Sequence, residues 1–258
     1  MWNLILYQPL FNLLMIFYNF LGQNMGLAII AVTLLVRIIL MPLTGKSLRA
    51  QKKMTALKPH LDKIKKDHGH DQKLMAKKTM ELYQQHGVNP VTSCLPLLIQ
   101  FPIFIALYRV FYNLSAASTS NMFYPFVHRP ESINTHFLWI DLAHADPLYI
   151  LPILVGVTFF WQTKISTPPQ TKPEPKKDGK KRDMMQDFQA TFSKQMLYIF
   201  PIMFTFISLR LPAALSLYWV ITTLFGIAQQ YLIMRDGQPI LEKGKSGKTQ
   251  IRVKKRGK

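Results

Sequence analysis

Residues 24 to 43, NMGLAIIAVTLLVRIILMPL, form a run long enough to cross a bilayer, and it carries one arginine. From Met25 to Leu43 only Thr33 and Arg37 interrupt the apolar sequence. A helix of this length, at about 1.5 Å per residue, matches a hydrocarbon core of about 30 Å. Arg37 falls about 18 Å from the Met25 end and about 9 Å from the Leu43 end. An arginine at such depth costs about 2.5 to 3.5 kcal/mol on insertion scales. Two arrangements offset that cost. The long stem can carry the guanidinium to the nearer interface, or the residue can face a wet concavity between helices, with Thr33 one turn earlier on the same face.

The distribution of charge turns this run into a topology. The 258 residues are 49% hydrophobic with a formal charge of +19, and 28 of the 32 Lys and Arg lie in three segments, 44–90, 164–194 and 234–258. The segment 114–147 holds Arg129 against Glu131, Asp141 and Asp146, and residues 1–36 hold no charged side chain. By the positive-inside rule the three basic segments are cytoplasmic, so the N-terminus is expected outside and the C-terminus in the cytoplasm. The single cysteine, Cys94, excludes an intrachain disulfide framework and a four-cysteine metal site.

Taken in order, residues 1–23 contain Pro9, which starts a helix too short to span, and Gln8, Asn12, Asn19 and Gln23 trace a polar stripe along it. This predicts an amphipathic helix lying in the outer interface; a signal peptide would need a basic start and a small-residue cleavage site, and neither is present. Spans are expected at 24–43, 91–113, 147–163, 195–211 and 212–233. Segment 44–90 reads as a cytosolic basic helical hairpin, with Met54, Leu57, Leu61 and Ile64 at helical spacing and HGHD as its turn. Segment 114–146 is expected to be an ordered outer cap, 164–194 a flexible Pro- and Lys-rich loop, and 234–258 a basic tail without structure. His60, His68, His70 and His86 are not spaced as ligands within one element, so no metal is expected, and no cofactor.

Each span carries isolated polar groups: Thr33 with Arg37, Gln100 between Pro96 and Pro102, Thr158 with Gln162, Thr205 with Ser208, and a Ser216–Trp219–Thr223–Gly226–Gln230 face. Singly, such residues are common packing glue; together with an unpaired arginine they favour a shared hydrophilic groove. No Asp or Glu falls in any span, which weighs against an ion-coupled transporter. A small-solute transporter or channel remains the alternative from another class, and a passive ribosome anchor a third. Paired aspartates, a Ser–His pair, HExxH and a Gly-rich phosphate loop are all missing from the spans, so the chain is not expected to be an enzyme.

The order of motifs, QPLF, VRIILMPLT, GVNPVTSCLPLLIQFPIF, LWIDLAHADPLYILPILVGVTFF and LPAALSLYWV, resembles the YidC-type membrane protein insertase family from about Gln8 to Arg235, most closely its Gram-negative form. The resemblance implies an all-α polytopic protein of five transmembrane helices around a cytoplasm-open groove in the bacterial inner membrane, with Arg37 as the groove arginine. It further implies that Thr33, Gln100, Phe101, Phe104, Tyr218 and Trp219 contact an inserting segment, and Ser216 and Thr223, from the periodic face of the last span, are counted with them as groove candidates. Expected partners are nascent membrane proteins, the Sec translocon, the ribosome through the hairpin and tail, and anionic lipids. The Gram-negative form carries a further N-terminal span and a periplasmic domain ahead of the amphipathic helix, and this sequence holds neither.

Overall fold

The computed structural model describes residues 3–112, 122–166, 197–235, 238–243 and 249–254. The expected loop at 164–194 and the start of the fourth span lie almost wholly outside these residues, as does 113–121. A π-helical turn, Asn3–Tyr7, leads into α1 (Gln8–Phe20), followed by α2 (Met25–Ala56), α3 (Lys58–His68), α4 (Gln72–Gln85), α5 (Pro90–Tyr112), α6 (Ile150–Ser166), α7 (Leu197–Ser208) and α8 (Ala213–Arg235). Two short antiparallel pairs complete the described elements: β1 (His136–Phe137) with β2 (Ile140–Asp141), and β3 (Gln238–Lys243) with β4 (Thr249–Lys254). The chain forms two compact units, one of residues 1–40, 97–166 and 195–227, the other of 41–96, 167–194 and 228–258.

The first unit is built on α1. Pro9 sits in its first turn, and Phe11, Leu14, Met15 and Tyr18 are fully buried along one side. The polar stripe does not face water. Asn12 donates to the Met122 carbonyl at 2.8 Å and accepts from the Tyr124 N–H at 2.7 Å, and Asn19 donates to the His128 carbonyl at 2.7 Å. The stripe is thus an edge on which the 122–128 backbone is tied, satisfying groups that an apolar surround would leave bare. Gln23 departs from the stripe, because it stands at φ 59° in the turn after α1.

The segment 122–149 is an ordered cap. Asp146, nearly fully buried, accepts from the N–H groups of Leu148 and Leu151 at 3.0 and 2.8 Å and so closes the start of α6. The carbonyls of His144 and Leu142 accept from Ala213 and Ala214 at 2.7 and 3.0 Å, meeting orphan N–H groups at the start of α8. Phe137 lies flat against the α2 backbone at Gly26, where any Cβ would overlap its ring.

The outward faces of α6 and α7 are apolar. Ile153, Val157 and Trp161 on α6 and Ile199, Ile202 and Phe206 on α7 are exposed. Exposed apolar faces of this kind mark surfaces that meet another protein or lipid. Among the described residues one helix, α2, is by itself long and apolar enough to cross a bilayer, while α6 and α7 are shorter apolar helices.

In the second unit, α2 does not stop at Leu43. It continues through Pro42 to Ala56, because the residues beyond the proline (Leu43, Lys46, Leu48, Arg49, Ala50) are strong helix formers. The local disturbance is tied to α8: Gln229 donates to the Met41 carbonyl at 2.9 Å and lies 3.0 Å from the Thr44 hydroxyl. α2 ends at Ala56, and Leu57 separates it from α3, which carries Pro59 in its first turn. The α3–α4 hairpin then closes on Leu57, Leu82 and Val88, with Met54, Leu61, Ile64 and Tyr83 packed around them. Asp71 caps α4 by accepting from Leu74 N–H at 3.0 Å.

The tail departs from expectation. Instead of lacking structure, it pairs Gln238–Lys243 with Thr249–Lys254 across six residue pairs. The alternation of Ile251 and Val253 with charged and polar residues supports a strand despite the net charge.

Candidate functional site

Arg37 lies on α2, Gln100 on α5 and Tyr218 on α8, and the fold brings the three together inside the first unit. Arg37 Nη2 donates to Gln100 Oε1 at 3.1 Å, and Gln100 Nε2 donates to the Tyr218 hydroxyl. Tyr218 is buried, whereas Arg37 and Gln100 are half-buried. The amide works as a relay: its oxygen faces the cation and its nitrogen faces the phenol, so one side chain orients both. Arg37 thereby uses one of five donors, and among the described residues no carboxylate lies within ion-pair distance of it. The site carries a positive charge with hydrogen-bonding capacity unspent.

Beside this chain stands a wall of rings. Trp219 stacks on Phe104 of α5 with centroids 5.4 Å apart, and Phe204 of α7 meets its edge at 5.2 Å. Phe204 in turn stacks on Phe159 of α6 at 4.6 Å. Four helices are joined by these contacts, a geometry favoured by ring quadrupoles and by the area they bury. Trp219 is nearly fully buried within it. Phe204 and Phe159 carry no sign of this role in the sequence, where they read as two phenylalanines among many.

The remaining candidate residues separate into two groups. Phe101, next to Gln100, is 63% exposed and is the one aromatic candidate open to the surroundings. Thr33 is buried and donates to the Ile29 carbonyl at 2.6 Å, its hydroxyl spent within its own helix. Thr223 is buried against α6: its hydroxyl lies 2.9 Å from Thr158 Oγ1 and 2.8 Å from the Trp219 carbonyl. Three residues on, Gly226 lets the Gln162 side chain approach the α8 backbone where a Cβ would overlap it. Ser216 is buried, and its hydroxyl has no partner among the described residues. The structure therefore groups Arg37, Gln100, Phe101 and Tyr218 on one side and Thr158, Gln162, Thr223 and Gly226 on the other. On α8, Tyr218 belongs to the first group, while Thr223 and Gly226 from the periodic face belong to the second.

A family model described as 60Kd inner membrane protein matches residues 16–239. The chain is 38% identical over 238 residues to membrane protein insertase YidC 2 of Bacillus anthracis, covering 90% of this chain and 80% of that one. It is 38% identical over 214 residues to membrane protein insertase YidC of Fusobacterium nucleatum, covering 83% and 88%. It is also 37% identical to the YidC of Geobacter sulfurreducens, but there it covers 91% of this chain and 38% of the relative, so the likeness extends to relatives of both lengths. A crystal structure of active YidC insertase with the first transmembrane domain resolved matches with a TM-score of 0.56 at 28% identity, over 86% of this chain and 45% of that one. On these matches the chain belongs to the 60Kd inner membrane protein family, the family of the YidC-type insertases.

Proposed function

We propose that this chain inserts nascent membrane proteins of one or two spans into the bacterial cytoplasmic membrane, and that the strip formed by Arg37, Gln100 and Phe101 receives the polar tail of the incoming segment. One observation carries the reading: a half-buried guanidinium, oriented by an amide, with four donors unspent and no acidic partner among the described residues. A cation so placed attracts carboxylates of an incoming tail more strongly than it would in water. Donors that meet the tail also shorten the dry distance its polar groups must cross. Burial of the hydrophobic segment in lipid supplies the drive, so no nucleotide is required. Phe101 offers an apolar surface along which that segment passes into lipid. Tyr218, Trp219 and Phe104 support the strip from behind: Tyr218 holds Gln100, and the ring wall holds α5 against α8.

In this reading α2, α5, α6, α7 and α8 are the five spans, the cap 122–149 is outside, and the groove opens to the cytoplasm. The basic hairpin and the β3–β4 tail meet the ribosome, anionic headgroups and the Sec translocon, as their charge supports. The test is insertion into proteoliposomes of substrates with acidic or neutral tails. Arg37→Ala is expected to lower insertion of acidic-tailed substrates at least tenfold and of neutral-tailed ones far less, while Arg37→Lys stays within about threefold of the unaltered chain. Equal loss for Ala and Lys would remove the charge role, and solute flux through the same vesicles without substrate would favour a channel.

A further inference from the structure

In the cap of the first unit, β1 and β2 are joined by a two-residue turn, Leu138 and Trp139. A hairpin turn of this length needs a left-handed φ at its first central residue and ordinarily takes Gly or Asn there. Here the position holds Leu138 at φ 53°, with its side chain 75% exposed and Trp139 beside it 45% exposed. A bulky side chain is rare in that conformation and adds strain to the turn, and in water two large apolar side chains at the tip would add a second cost. The base of the hairpin is of opposite character. Asp141 accepts from the Thr135 hydroxyl at 2.5 Å and the Ala143 N–H at 3.0 Å, and lies 2.8 Å from His144 Nδ1. From His136 to Leu138 an extended chain climbs roughly 7 Å. That step from polar base to apolar tip matches the depth of about 5–10 Å to which interfacial apolar groups sink at the headgroup–acyl boundary.

The hairpin is held where such a boundary would lie. The Phe137 ring lies over Gly26, where any Cβ would overlap it, and Ile140 is buried in the core. Gly26 is the second residue of α2, the helix long and apolar enough to cross a bilayer. The tip thus stands one residue from a contact with the very end of that helix. Apolar exposure recurs at neighbouring helix ends: Phe20 closes α1, and Leu148 and Tyr149 precede α6, Tyr149 again at a left-handed φ of 58°. Aromatic residues with one polar atom, such as Trp139 and Tyr149, collect at membrane–water interfaces. We propose that the Leu138–Trp139 tip is a lipid anchor, which inserts into the headgroup–acyl boundary of the leaflet where α2 begins and holds the cap against the membrane. Lipid is the occupant because the tip is fixed to the end of a bilayer-length helix, and neither tip residue carries a charge that would specify a protein partner. The inference rests on reading α2 and α6 as spans.

The test uses the full chain in lipid nanodiscs on a Cys94→Ser background, with a nitroxide attached in turn at Leu138→Cys, Glu131→Cys and Val157→Cys. Power saturation compares collision with oxygen, which concentrates in lipid, against collision with a water-soluble nickel chelate. The oxygen-to-nickel ratio at 138 is expected to exceed that at Glu131, on the water side of the cap, by about threefold or more, while Val157 on the outward face of α6 gives a still higher ratio. A label at 138 as open to nickel as that at 131 would overturn the anchor, and one shielded from both reagents would overturn it in favour of a protein contact. A label at 157 open to nickel would fail the span reading itself, and the anchor with it. Because a substitution can disturb the turn, the unaltered Trp139 gives a second measurement. A lipid spin-labelled near its headgroup is expected to broaden the Trp139 indole N–H resonance, identified by its loss in Trp139→Phe, more than a soluble gadolinium chelate does. The reverse order would overturn the proposal.

Discussion

Two sets of polar side chains sit on the same apolar helices and are spent in opposite ways. Between α6 and α8, Thr158 and Thr223 meet each other at 2.9 Å, Thr158 also donates to the Leu154 carbonyl at 2.8 Å, and both are buried. Between α2, α5 and α8, Arg37 and Gln100 bond each other at 3.1 Å yet remain half-exposed, with most of the guanidinium unspent. The difference teaches that a polar residue in an apolar helix signals function by its residual bonding capacity. A threonine can return its one proton to its own backbone, whereas an arginine has five donors, of which one bond to Gln100 satisfies a single member.

The comparison can be broken most forcefully at the ring wall. Trp219→Ala removes the ring packed between Phe104 and Phe204, and a loss of about 3–5 kcal/mol is expected from core truncation of this size. Thermal unfolding in detergent measures it. A loss under about 1 kcal/mol would mean the wall is loosely packed. The Thr158–Thr223 pair sharpens the contrast: Thr223→Val is expected to cost about 0.6 kcal/mol, the mean for such interhelical bonds in membranes, with insertion of acidic-tailed substrates unchanged. A tenfold fall in insertion would place Thr223 on the working side.

The smallest effect concerns the cap. Burial pushes the Asp141 carboxyl up, but hydrogen bonds from the Thr135 hydroxyl at 2.5 Å, the Ala143 N–H at 3.0 Å and His144 outweigh it, and the group titrates below the usual carboxylate range. A folded pKa below the unfolded one contributes stability that is present above about pH 4 and is lost as pH falls through the folded value. Thr135→Val is expected to raise the folded pKa and shrink that contribution. The carboxyl carbon shift of Asp141 against pH measures it, and an unchanged midpoint would assign the effect to other groups.

Much of this arrangement is legible in the sequence because apolar runs and charge blocks are local signals. Arg37 stands out through its depth in residues 24–43, and Pro9 announces α1. What the sequence withholds is azimuth. Periodicity along α8 puts Ser216, Trp219, Thr223 and Gln230 on one face, but only packing reveals that Tyr218 reaches Gln100 while Thr223 reaches Thr158. The Arg37–Gln100 bond joins residues 63 apart, and no pattern within either helix encodes it. The apolar run ends at Leu43, but the helix does not: strong helix formers beyond Pro42 and the Gln229 contact carry α2 on to Ala56. The basic composition of the tail likewise masks the alternation that pairs β3 with β4.

The most direct measurement places single cysteines at Gln100 and at Thr223 on a Cys94→Ser background and exposes membrane vesicles to a water-soluble maleimide from the cytoplasmic side. Labelling at 100 with none at 223 is predicted, since one position borders unspent donors and the other a closed pair. No labelling at 100, or equal labelling at both, would contradict a hydrated strip at Arg37 and the insertion route built on it.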